Sequence, residues 1–580
     1  MSMGLCRYWK FLGAAWVLGW SWHAAAGAAE PAAVAQSAAA QSAAAQPAAA
    51  AQSAGVPGAT VVTTPGPELV RTYCSGCHTE HAGSFERISA IRKTPEGWVM
   101  TLFRMRQVHG LVLDEGVRES LVRYLAQTQG LAPSESAAGR FALERRPNVQ
   151  DLNLGADLGV MCGRCHSLAR SALQRRGADE WRKLANTHVG QWPSLEYQQS
   201  GRDRPWWQIA SGPLPEKLAA LFPYESTAWT QWKARPARDL SGGWVVVGHV
   251  PGGKDFYGSA RIERTADGDY SAHYALSDVA GMAMNGESKA IVYTGYEWRG
   301  RAELGSRSLR EVYAVSEDGN RITGRWFDAD HDEDGGEWTA IREAATAEVL
   351  AVLPHSLRAG SAGTVVIVGN GLGAGTVSFG AGTVAANVER SAHSIRAWVS
   401  VAADAAPGLR SVSMGGAAGH AVGGAADGTA TGAATGAAGG GSGSLAVYRQ
   451  IDQIDVSPSY GIARLGGGRI APVTAQFEAL ASTRLPSGEW LALGPVAAEW
   501  SSIPFDAEAK RTEDEKFAGH FDGRGCFSPS SAGPNPAREF SGDNVGNLTV
   551  VARALDGERS ALGRAHLVVT VQRWNTPPIY

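Results

Sequence analysis

The pentapeptide CSGCH at residues 74–78 recurs as CGRCH at residues 162–166. In each copy two cysteines stand three positions apart, and a histidine directly follows the second cysteine. Two thiols at this spacing reach the two vinyl groups on one edge of a porphyrin, and the histidine then places its imidazole under the iron. A second copy in the same chain argues against zinc binding or a chance disulfide. The sequence therefore predicts two covalently attached c-type haems, held by Cys74, Cys77 and His78 and by Cys162, Cys165 and His166.

The first haem needs a sixth iron ligand if it is a low-spin electron carrier. Met100, Met105 and His109 are the candidates downstream of the motif. Trp98, Leu102, Met105 and His109 share one face of a helix by i, i+3 and i+4 spacing, and we expect this face to meet the porphyrin. We favour Met105 as the ligand, with His109 as the main competitor. The alternative for Met105 is that it only fills the core, as most helical methionines do.

The second haem has no nearby methionine, because none occurs between His166 and Met282. His188 lies 22 residues past His166, on the apolar face of a helix that also carries Trp181 and Leu184. We therefore predict His188 as the sixth ligand. Since methionine raises a haem potential relative to histidine, electrons should flow from this haem to the first.

The N-terminus predicts export from the cytoplasm. Arg7 and Lys10 precede an apolar run at residues 11–20 and small residues at 24–29, as in a signal peptide covering residues 1–29. The run is too short for a confident membrane span, and no later stretch reaches the ~18 apolar residues that a span requires. The expected location is the periplasm, without a membrane span. A form anchored by an uncleaved signal is the alternative.

The remaining pattern predicts a multidomain protein of α plus all-β class, because 580 residues exceed one hydrophobic core. Apolar residues recur at helical spacing up to about residue 232. Short β-branched and aromatic runs follow and predict strands, among them residues 290–296 and 474–480. Asp267-Gly268 and Asp318-Gly319 are hairpin turn signals. The predicted parts are a disordered Ala/Gln-rich tether (30–65), an α-helical dihaem cytochrome c domain (66–235), a β-barrel (236–345), an immunoglobulin-like β-sandwich (346–414), a Gly/Ala-rich linker (415–444) and a C-terminal β-sandwich (445–580).

Several other signals carry no function. The formal net charge of −3 gives no field that favours nucleic acid. Residues 328–335 look like a calcium loop, but an EF-hand beginning at Asp330 needs glutamate where Ile341 stands, so an acidic hairpin is expected. Cys526 has no partner in the mature chain and is predicted to be a buried free thiol. No catalytic constellation is evident, so we predict no catalytic residues in this chain.

The chain resembles the large, dihaem subunit of quinohemoprotein amine dehydrogenase over nearly its whole mature length. In the haem region the resemblance rests on both motifs, on Arg104-Met105, His109-Gly110, Glu180-Trp181, Leu184 and His188, and on residues 193–197. In the β region it rests on residues 242–244, 324–327, 527–529, 533–536 and 544–548. Many cytochromes share the haem motifs. The order of the motifs, followed by three β-domains, is more specific.

The resemblance implies an electron-transfer subunit that carries the haems but not the substrate site. In this family a small subunit bears cysteine tryptophylquinone, where primary amines are oxidised to aldehydes, and a β-propeller subunit completes a heterotrimer. This chain would pass electrons from that quinone to a soluble periplasmic acceptor such as a cytochrome c or a cupredoxin. The tracts at 30–65 and 415–444 look like additions to the family pattern.

Three other functions compete with this one. A free-standing periplasmic dihaem cytochrome c would serve another dehydrogenase and would purify without two further chains. A dihaem peroxidase would need an open coordination position at one iron. A scaffold protein built around the β-domains would show no reduction of its haems by amine.

Overall fold

A computed structural model describes residues 64–141, 151–163, 166–192, 204–331, 333–415, 443–468 and 470–571. The fold is mostly β, with several sheets, one closed barrel and a smaller helical part. The predicted signal peptide, Cys165, nearly all of the tether and nearly all of the linker lie outside the described residues. Within the described ranges, no helix is long and apolar enough to cross a membrane.

Helices dominate the first part of the chain, and local signals set their ends. Thr94 accepts a hydrogen bond from the Gly97 N–H at the start of α2, and Gly110 ends that helix with a φ of 72°. The helices are α1 (Gly66–Cys74), α2 (Pro95–His109), α3 (Glu115–Thr128), α4 (Pro133–Ser136), α5 (Ala156–Cys162), α6 (Ala169–Ala172), α7 (Ala178–Gln191), α8 (Trp206–Ser211), α9 (Pro213–Leu221) and α10 (Thr227–Lys233). The strands among them, which were not predicted, are β1 (Glu80–His81), β2 (Ser84–Phe85), β3 (Ile91–Lys93) and β4 (Gln174–Arg176).

The helical part contains two main hydrophobic cores, one for each cysteine motif. The first core joins α1, α2 and α3 through buried residues such as Trp98 and Leu121, and Cys74 packs against it. The second core joins α5, α7 and α9 through residues such as Trp181, and Cys162 packs against it. Each motif is therefore anchored to its own apolar cluster.

Strands β3 and β4 pair antiparallel and connect the two regions of the helical part that contain these cores. Arg92 lies directly opposite Arg175 in this ribbon, and both side chains are buried. Glu135 holds the two cations together, because its carboxylate accepts hydrogen bonds from Arg92 at 2.8 and 2.9 Å and from Arg175 at 3.3 Å. Although burial opposes it, hydrogen bonding to Arg92 lowers the pKa of Glu135 to about 2.

Glu135→Gln should destabilise the helical part by about 3–5 kcal/mol at pH 7, because two buried guanidinium groups lose their counter-charge. Because the pKa of Glu135 is lower in the folded state, the charged carboxylate stabilises the protein fully above the unfolded-state pKa of about 4.3. This stabilisation is lost as the pH falls towards the folded-state pKa. The difference between wild type and variant should therefore shrink from pH 5 to pH 3. Chemical unfolding followed by far-UV circular dichroism measures this difference in the free energy of unfolding. Glu68→Gln, at an exposed glutamate, is the control. An undiminished difference at pH 3 would contradict this account.

The next eight strands form a closed antiparallel barrel in the order β10-β11-β12-β5-β6-β7-β8-β9, which confirms the predicted barrel. Asp267-Gly268 and Asp318-Gly319 lie in hairpin turns, and both glycines have positive φ. The strands are β5 (Gly242–His249), β6 (Asp255–Arg264), β7 (Tyr270–Asp278), β8 (Ala283–Tyr293), β9 (Glu297–Leu304), β10 (Arg307–Val315), β11 (Arg321–Asp328) and β12 (Gly335–Arg342).

One strand predicted for the barrel, at residues 290–296, was wrong at its end. The strand stops at Tyr293, and Thr294 and Gly295 turn the chain with φ of 57° and 77°. The turn is held by the helical part, because Trp232 donates a hydrogen bond to the Thr294 carbonyl and the Tyr296 hydroxyl contacts the Ser136 hydroxyl at 2.7 Å. The apolar pattern at the end of this run therefore reflects contact with the helices.

The last two parts of the chain are built from several small sheets. The sheets β13-β15-β18-β17, β14-β21-β19 and β16-β20 use β13 (Glu348–Leu353), β14 (Ser356–Arg358), β15 (Ala362–Asn370), β16 (Thr376–Ser378), β17 (Thr383–Arg390), β18 (Ser394–Val401), β19 (Gly408–Ser411), β20 (Ser413–Gly415) and β21 (Ser444–Tyr448). The chain thus returns to this part after the linker, and the boundary predicted at residue 445 falls inside β21. The immunoglobulin-like assignment stays a prediction.

The C-terminal part contains the sheets β22-β25-β26, β23-β31-β30-β27 and β24-β29-β28. Its elements are β22 (Gln453–Ser457), β23 (Tyr460–Arg464), β24 (Ala475–Gln476), β25 (Glu478–Arg484), β26 (Trp490–Val496), β27 (Glu499–Pro504), α11 (Ala507–Arg511), α12 (Asp514–Phe517), β28 (Gly519–Phe521), β29 (Cys526–Pro529), β30 (Gly546–Asp556) and β31 (Arg559–Thr570). A single strand predicted at residues 474–480 was wrong. It splits at the buried Phe477, whose N–H bonds the Gly525 carbonyl.

A histidine between two carboxylates ties the barrel to the C-terminal part. His249 contacts Asp255 at 2.8 Å through Nδ1 and Glu478 at 2.7 Å through Nε2. Although burial alone would lower it, the hydrogen bonds to Asp255 and Glu478 raise the pKa of His249 to about 10. The imidazolium therefore carries a permanent charge at neutral pH.

His249→Gln should lower the free energy of unfolding by about 3 kcal/mol at pH 7, because a mostly buried charge triad is broken. Because the pKa of His249 is higher in the folded state, the charged ring stabilises the protein fully below the unfolded-state pKa of about 6.5. This stabilisation is lost as the pH rises through the folded-state pKa of about 10. Thermal unfolding of variant and wild type should therefore converge above pH 10. The exposed His273→Gln serves as the control, and a pH-independent difference would contradict the expectation.

Candidate haem sites

The first motif continues the last turn of α1. The backbone N–H groups of Cys77 and His78 both donate to the Cys74 carbonyl, at 3.1 and 2.9 Å, so this turn brings the two thiols and the imidazole close together. The Nδ1–H of His78 donates to the Glu86 carbonyl at 3.0 Å. This bond fixes the ring orientation and leaves Nε2 as the nitrogen for a metal.

Cys74 and Cys162 are both half-buried, and burial favours the thiol form of each. Burial, with Cys77 as a further cause, raises the pKa of Cys74 to about 11. Burial likewise raises the pKa of Cys162 to about 11. A zinc site needs thiolates, so this environment suits a thioether bond better. Among the described residues, no three His, Cys, Asp or Glu side chains are grouped as a metal site requires.

Helix α2 carries the candidates for the sixth ligand of the first haem. Trp98 and Leu102 are buried in the core that Cys74 also contacts. Met105 continues this face and is half-buried, as is Met100, whereas His109 is exposed at the end of the helix. Met105 as the sixth ligand, with His109 as its main competitor, stays a prediction.

The second site brings together two histidines that are far apart in sequence. His166 donates from Nδ1 to the Ser167 carbonyl at 2.9 Å, and His188 on α7 donates from Nδ1 to the Leu184 carbonyl at 2.8 Å. Their ring centroids are 6.4 Å apart with an angle of 35° between the ring planes. Trp206 lies beside His188, with 6.5 Å between centroids.

This separation fits two imidazoles on opposite sides of one iron. A metal–imidazole bond is about 2 Å long, and the ring centroid lies roughly 1 Å beyond the nitrogen, so two axial rings stand roughly 6 Å apart. Burial lowers the pKa of His166 to about 4 and also lowers the pKa of His188. Both rings are therefore neutral at physiological pH, which is the form that binds a metal. The residues present fit a haem with two histidine ligands.

The barrel holds a buried carboxylate that was not predicted. Glu311 accepts hydrogen bonds from Tyr274 at 2.6 Å, Ser288 at 2.6 Å and Trp298 at 2.8 Å. Burial raises the pKa of Glu311. Because three donors already bind this carboxylate inside a packed aromatic core, we assign it a structural role.

Cys526 and the acidic hairpin complete the predicted features. Cys526 is a free thiol, as predicted, but it is half-buried rather than buried. Burial raises the pKa of Cys526. Strands β11 and β12 pair from Phe327 and Gly335 onward, so the described residues between β11 and β12 connect a hairpin, as expected.

Comparison with protein-family models gives four matches along the chain. They are the haem-binding model of the quinohemoprotein amine dehydrogenase alpha subunit (residues 64–229) and the models for its domain II (237–343), domain III (346–423) and domain IV (454–579). The comparison with curated proteins gave no match.

Similar solved structures have low TM-scores and carry no argument about function. A redesigned β-barrel, mFAP1, bound to DFHBI is 14% identical and covers 18% of this chain and 94% of its own, with a TM-score of 0.17. A biogenic amine-binding protein is 11% identical over 18% and 63%, with a TM-score of 0.16. The Bacteroides ovatus SGBP-B in complex with a mixed-linkage heptasaccharide is 10% identical over 58% and 64%, with a TM-score of 0.17.

The four matched models follow one another in the order of the family's domains and together span most of the chain. They agree with the resemblance inferred from the motifs. The chain therefore belongs to the family of quinohemoprotein amine dehydrogenase alpha subunits.

Proposed function

We propose that this chain is the electron-transfer subunit of a periplasmic quinohemoprotein amine dehydrogenase. It carries electrons from a quinone on a partner subunit, through two covalently bound haems c, to a soluble acceptor. The observation that carries this proposal is the pair His166 and His188, whose centroids are 6.4 Å apart while both Nδ1 atoms are bonded to backbone carbonyls. Membership of an oxidoreductase family supports it.

In this proposal each haem has a defined set of protein ligands. Cys74, Cys77, His78 and Met105 hold the first haem, and Cys162, Cys165, His166 and His188 hold the second. A haem iron in each place supplies a centre that accepts and releases one electron. With protein ligands on both sides, neither iron would bind substrate, so this proposal places amine oxidation on a partner subunit.

The residues around the irons fix the geometry that electron transfer needs. The carbonyls of Glu86, Ser167 and Leu184 hold the three imidazoles in one orientation and one tautomer. His166 and His188 are half-buried, which would limit solvent reorganisation when charge changes. Met105 would raise the potential of the first haem relative to the second, which would favour electron transfer from the second haem to the first.

The partners follow from the family. A small subunit with cysteine tryptophylquinone oxidises primary amines to aldehydes, and a β-propeller subunit completes the heterotrimer. The external acceptor is a soluble periplasmic cytochrome c or cupredoxin. Neither nucleic acid nor a membrane span is part of this proposal.

Purification of the complex from its native host, followed by visible absorption, tests the proposal. The chain should co-purify with two further chains, and a primary amine should reduce its haems. Cys162→Ser should lose normal attachment of the second haem, whereas the control Cys526→Ser should keep both. A haem-loaded chain that purifies alone and is not reduced in the presence of amine would favour a free-standing dihaem cytochrome.

A further inference from the structure

The turn between β8 and β9 joins the barrel to the helical part, and a fully buried glutamate stands directly after it. Trp232 on α10 donates a hydrogen bond to the Thr294 carbonyl in this turn. The Arg299 Nε–H on β9 donates to the carboxylate of Glu96, which lies in the first turn of α2. Glu297 lies between these two contacts along the chain and has a relative exposure of 0%. Any charge on Glu297 is therefore confined to this interface.

Arg299 is shared unequally between two carboxylates. Besides its bond to Glu96, its Nη2 lies 3.7 Å from Oε1 of Glu297, which is too long for a hydrogen bond. Its Nη1 donates to two backbone carbonyls of β9 and β10, at 3.0 and 3.2 Å. Oε2 of Glu297 accepts a hydrogen bond from the Thr294 hydroxyl at 3.0 Å, whereas Oε1 makes no hydrogen bond to any described residue. Glu96 therefore holds the guanidinium directly, and Glu297 has only a distant share of its charge.

Two further groups face Glu297 from the surrounding elements. Arg140, in the segment after α4, acts on Glu297 electrostatically, but its Nη2 donates to a carbonyl and a hydroxyl of α4 at 3.0 and 3.3 Å. The Tyr296 hydroxyl likewise contacts a hydroxyl of α4 at 2.7 Å. With Glu96 and Arg299, these groups make up the charged surroundings of Glu297 in the part of the chain that the structure describes. A negative charge on Glu297 is therefore only partly compensated.

Incomplete compensation makes Glu297 a group that titrates near neutral pH. Burial raises its pKa to about 7 against the attraction of Arg299, and the charge of Glu96 acts in the same direction as burial. Although burial opposes it, the charge of Arg299 lowers the pKa of Glu96. Because the folded-state pKa of Glu297 lies above the unfolded-state value of about 4.3, this carboxyl lowers the stability progressively between those two pH values. A buried group that costs stability and titrates near neutral pH is typical of a functional site.

We propose that Glu96 and Glu297 compete for Arg299 and thereby form a pH-operated latch between α2 and the barrel. When Glu297 is protonated, Arg299 binds Glu96 alone and holds the first turn of α2 on β9. When Glu297 loses its proton, its carboxylate attracts Arg299, and the bond to Glu96 weakens. Because α2 also carries Met105, the latch makes the position of the helix that presents the candidate sixth ligand dependent on pH.

Hydrogen exchange in the assembled protein, followed by mass spectrometry of peptides that cover the start of α2, tests the latch. Wild type and Glu297→Gln are compared at the same pH, so that the intrinsic exchange rate cancels. The glutamine variant resembles the protonated state. Both proteins should therefore exchange alike at pH 6, and the wild type should exchange severalfold faster at pH 8. Glu303→Gln changes an exposed glutamate on the same strand and should follow the wild type. Equal exchange of wild type and Glu297→Gln at both pH values would overturn the proposal.

Infrared difference spectra between pH 6 and pH 8 test the titration itself. The wild type should lose a protonated-carboxyl stretching band over this interval, and Glu297→Gln should lack that band. Glu96→Gln removes the competing negative charge and leaves Arg299 to Glu297, so the proton affinity should fall about tenfold. An unchanged midpoint in Glu96→Gln would show that the two carboxylates do not compete for Arg299. A wild type without any such band would contradict the latch even if the variants fold poorly.

This inference goes beyond the proposed function, because its readouts need neither an amine nor a quinone on a partner subunit. The two can therefore fail separately. A complex that is reduced by amine but shows no pH-dependent difference in exchange contradicts the latch alone. A chain that exchanges as expected but carries no haem contradicts the proposed function alone.

Discussion

Replacing His188 by alanine should convert the second haem from low-spin to high-spin iron. No methionine stands between His166 and Met282 to replace the lost ligand, and His188 is the ring that faces His166 at 6.4 Å. Amine-dependent reduction of the acceptor should fall by more than the roughly 10–100-fold that loss of a ligand's hydrogen-bonding partner costs, because a direct ligand is removed. Electron paramagnetic resonance of the ferric protein and its visible spectrum measure the change.

His520→Ala is the control for this experiment, because His520 is an exposed histidine on β28 in the C-terminal part. It should leave the spin state and the rate unchanged. A low-spin spectrum at both haems of His188→Ala would show that another residue binds the second iron. A high-spin signal already present in the wild type would favour the peroxidase alternative.

Replacing Met105 by alanine should abolish the near-infrared methionine–iron charge-transfer band and lower the potential of the first haem. Axial ligand identity spans about 0.8 V across haem proteins, so this shift should exceed any produced by a surface charge. The loss would reverse or remove the downhill step from the second haem to the first. Near-infrared absorption and a potentiometric titration measure the two effects.

Met100→Ala and His109→Ala are the matched controls, since both positions lie on the same helix α2. Each should keep the band. Survival of the band in Met105→Ala would mean that the assignment of Met105 is wrong. If the wild type has no such band and His109→Ala becomes high-spin, His109 is the ligand.

The sequence was most informative where chemistry is local. The motif spacing alone predicted Cys74, Cys77 and His78 in one turn, and helical spacing placed His188 on the apolar face of α7. Asp-Gly pairs predicted two barrel turns because aspartate and glycine accept the backbone conformations that such turns need. Family resemblance then predicted the order of the domains, which the matched models repeat.

The sequence was least informative where distant segments meet. Arg92-Lys93 and Arg175-Arg176 look like surface charges, and only the pairing of β3 with β4 buries them. His249 and Glu478 are 229 positions apart, so their contact has no local signal. Strand β17 has little signal in the sequence, because most of its residues are exposed and it lacks the alternation that identifies a half-buried strand.

The central claim is that this chain carries two haems joined through thioether bonds, and mass spectrometry of the mature polypeptide and its peptides tests it most directly. We expect two porphyrin masses, one on the peptide with Cys74 and Cys77 and one on the peptide with Cys162 and Cys165. A mature chain without a porphyrin adduct at either peptide would contradict the account.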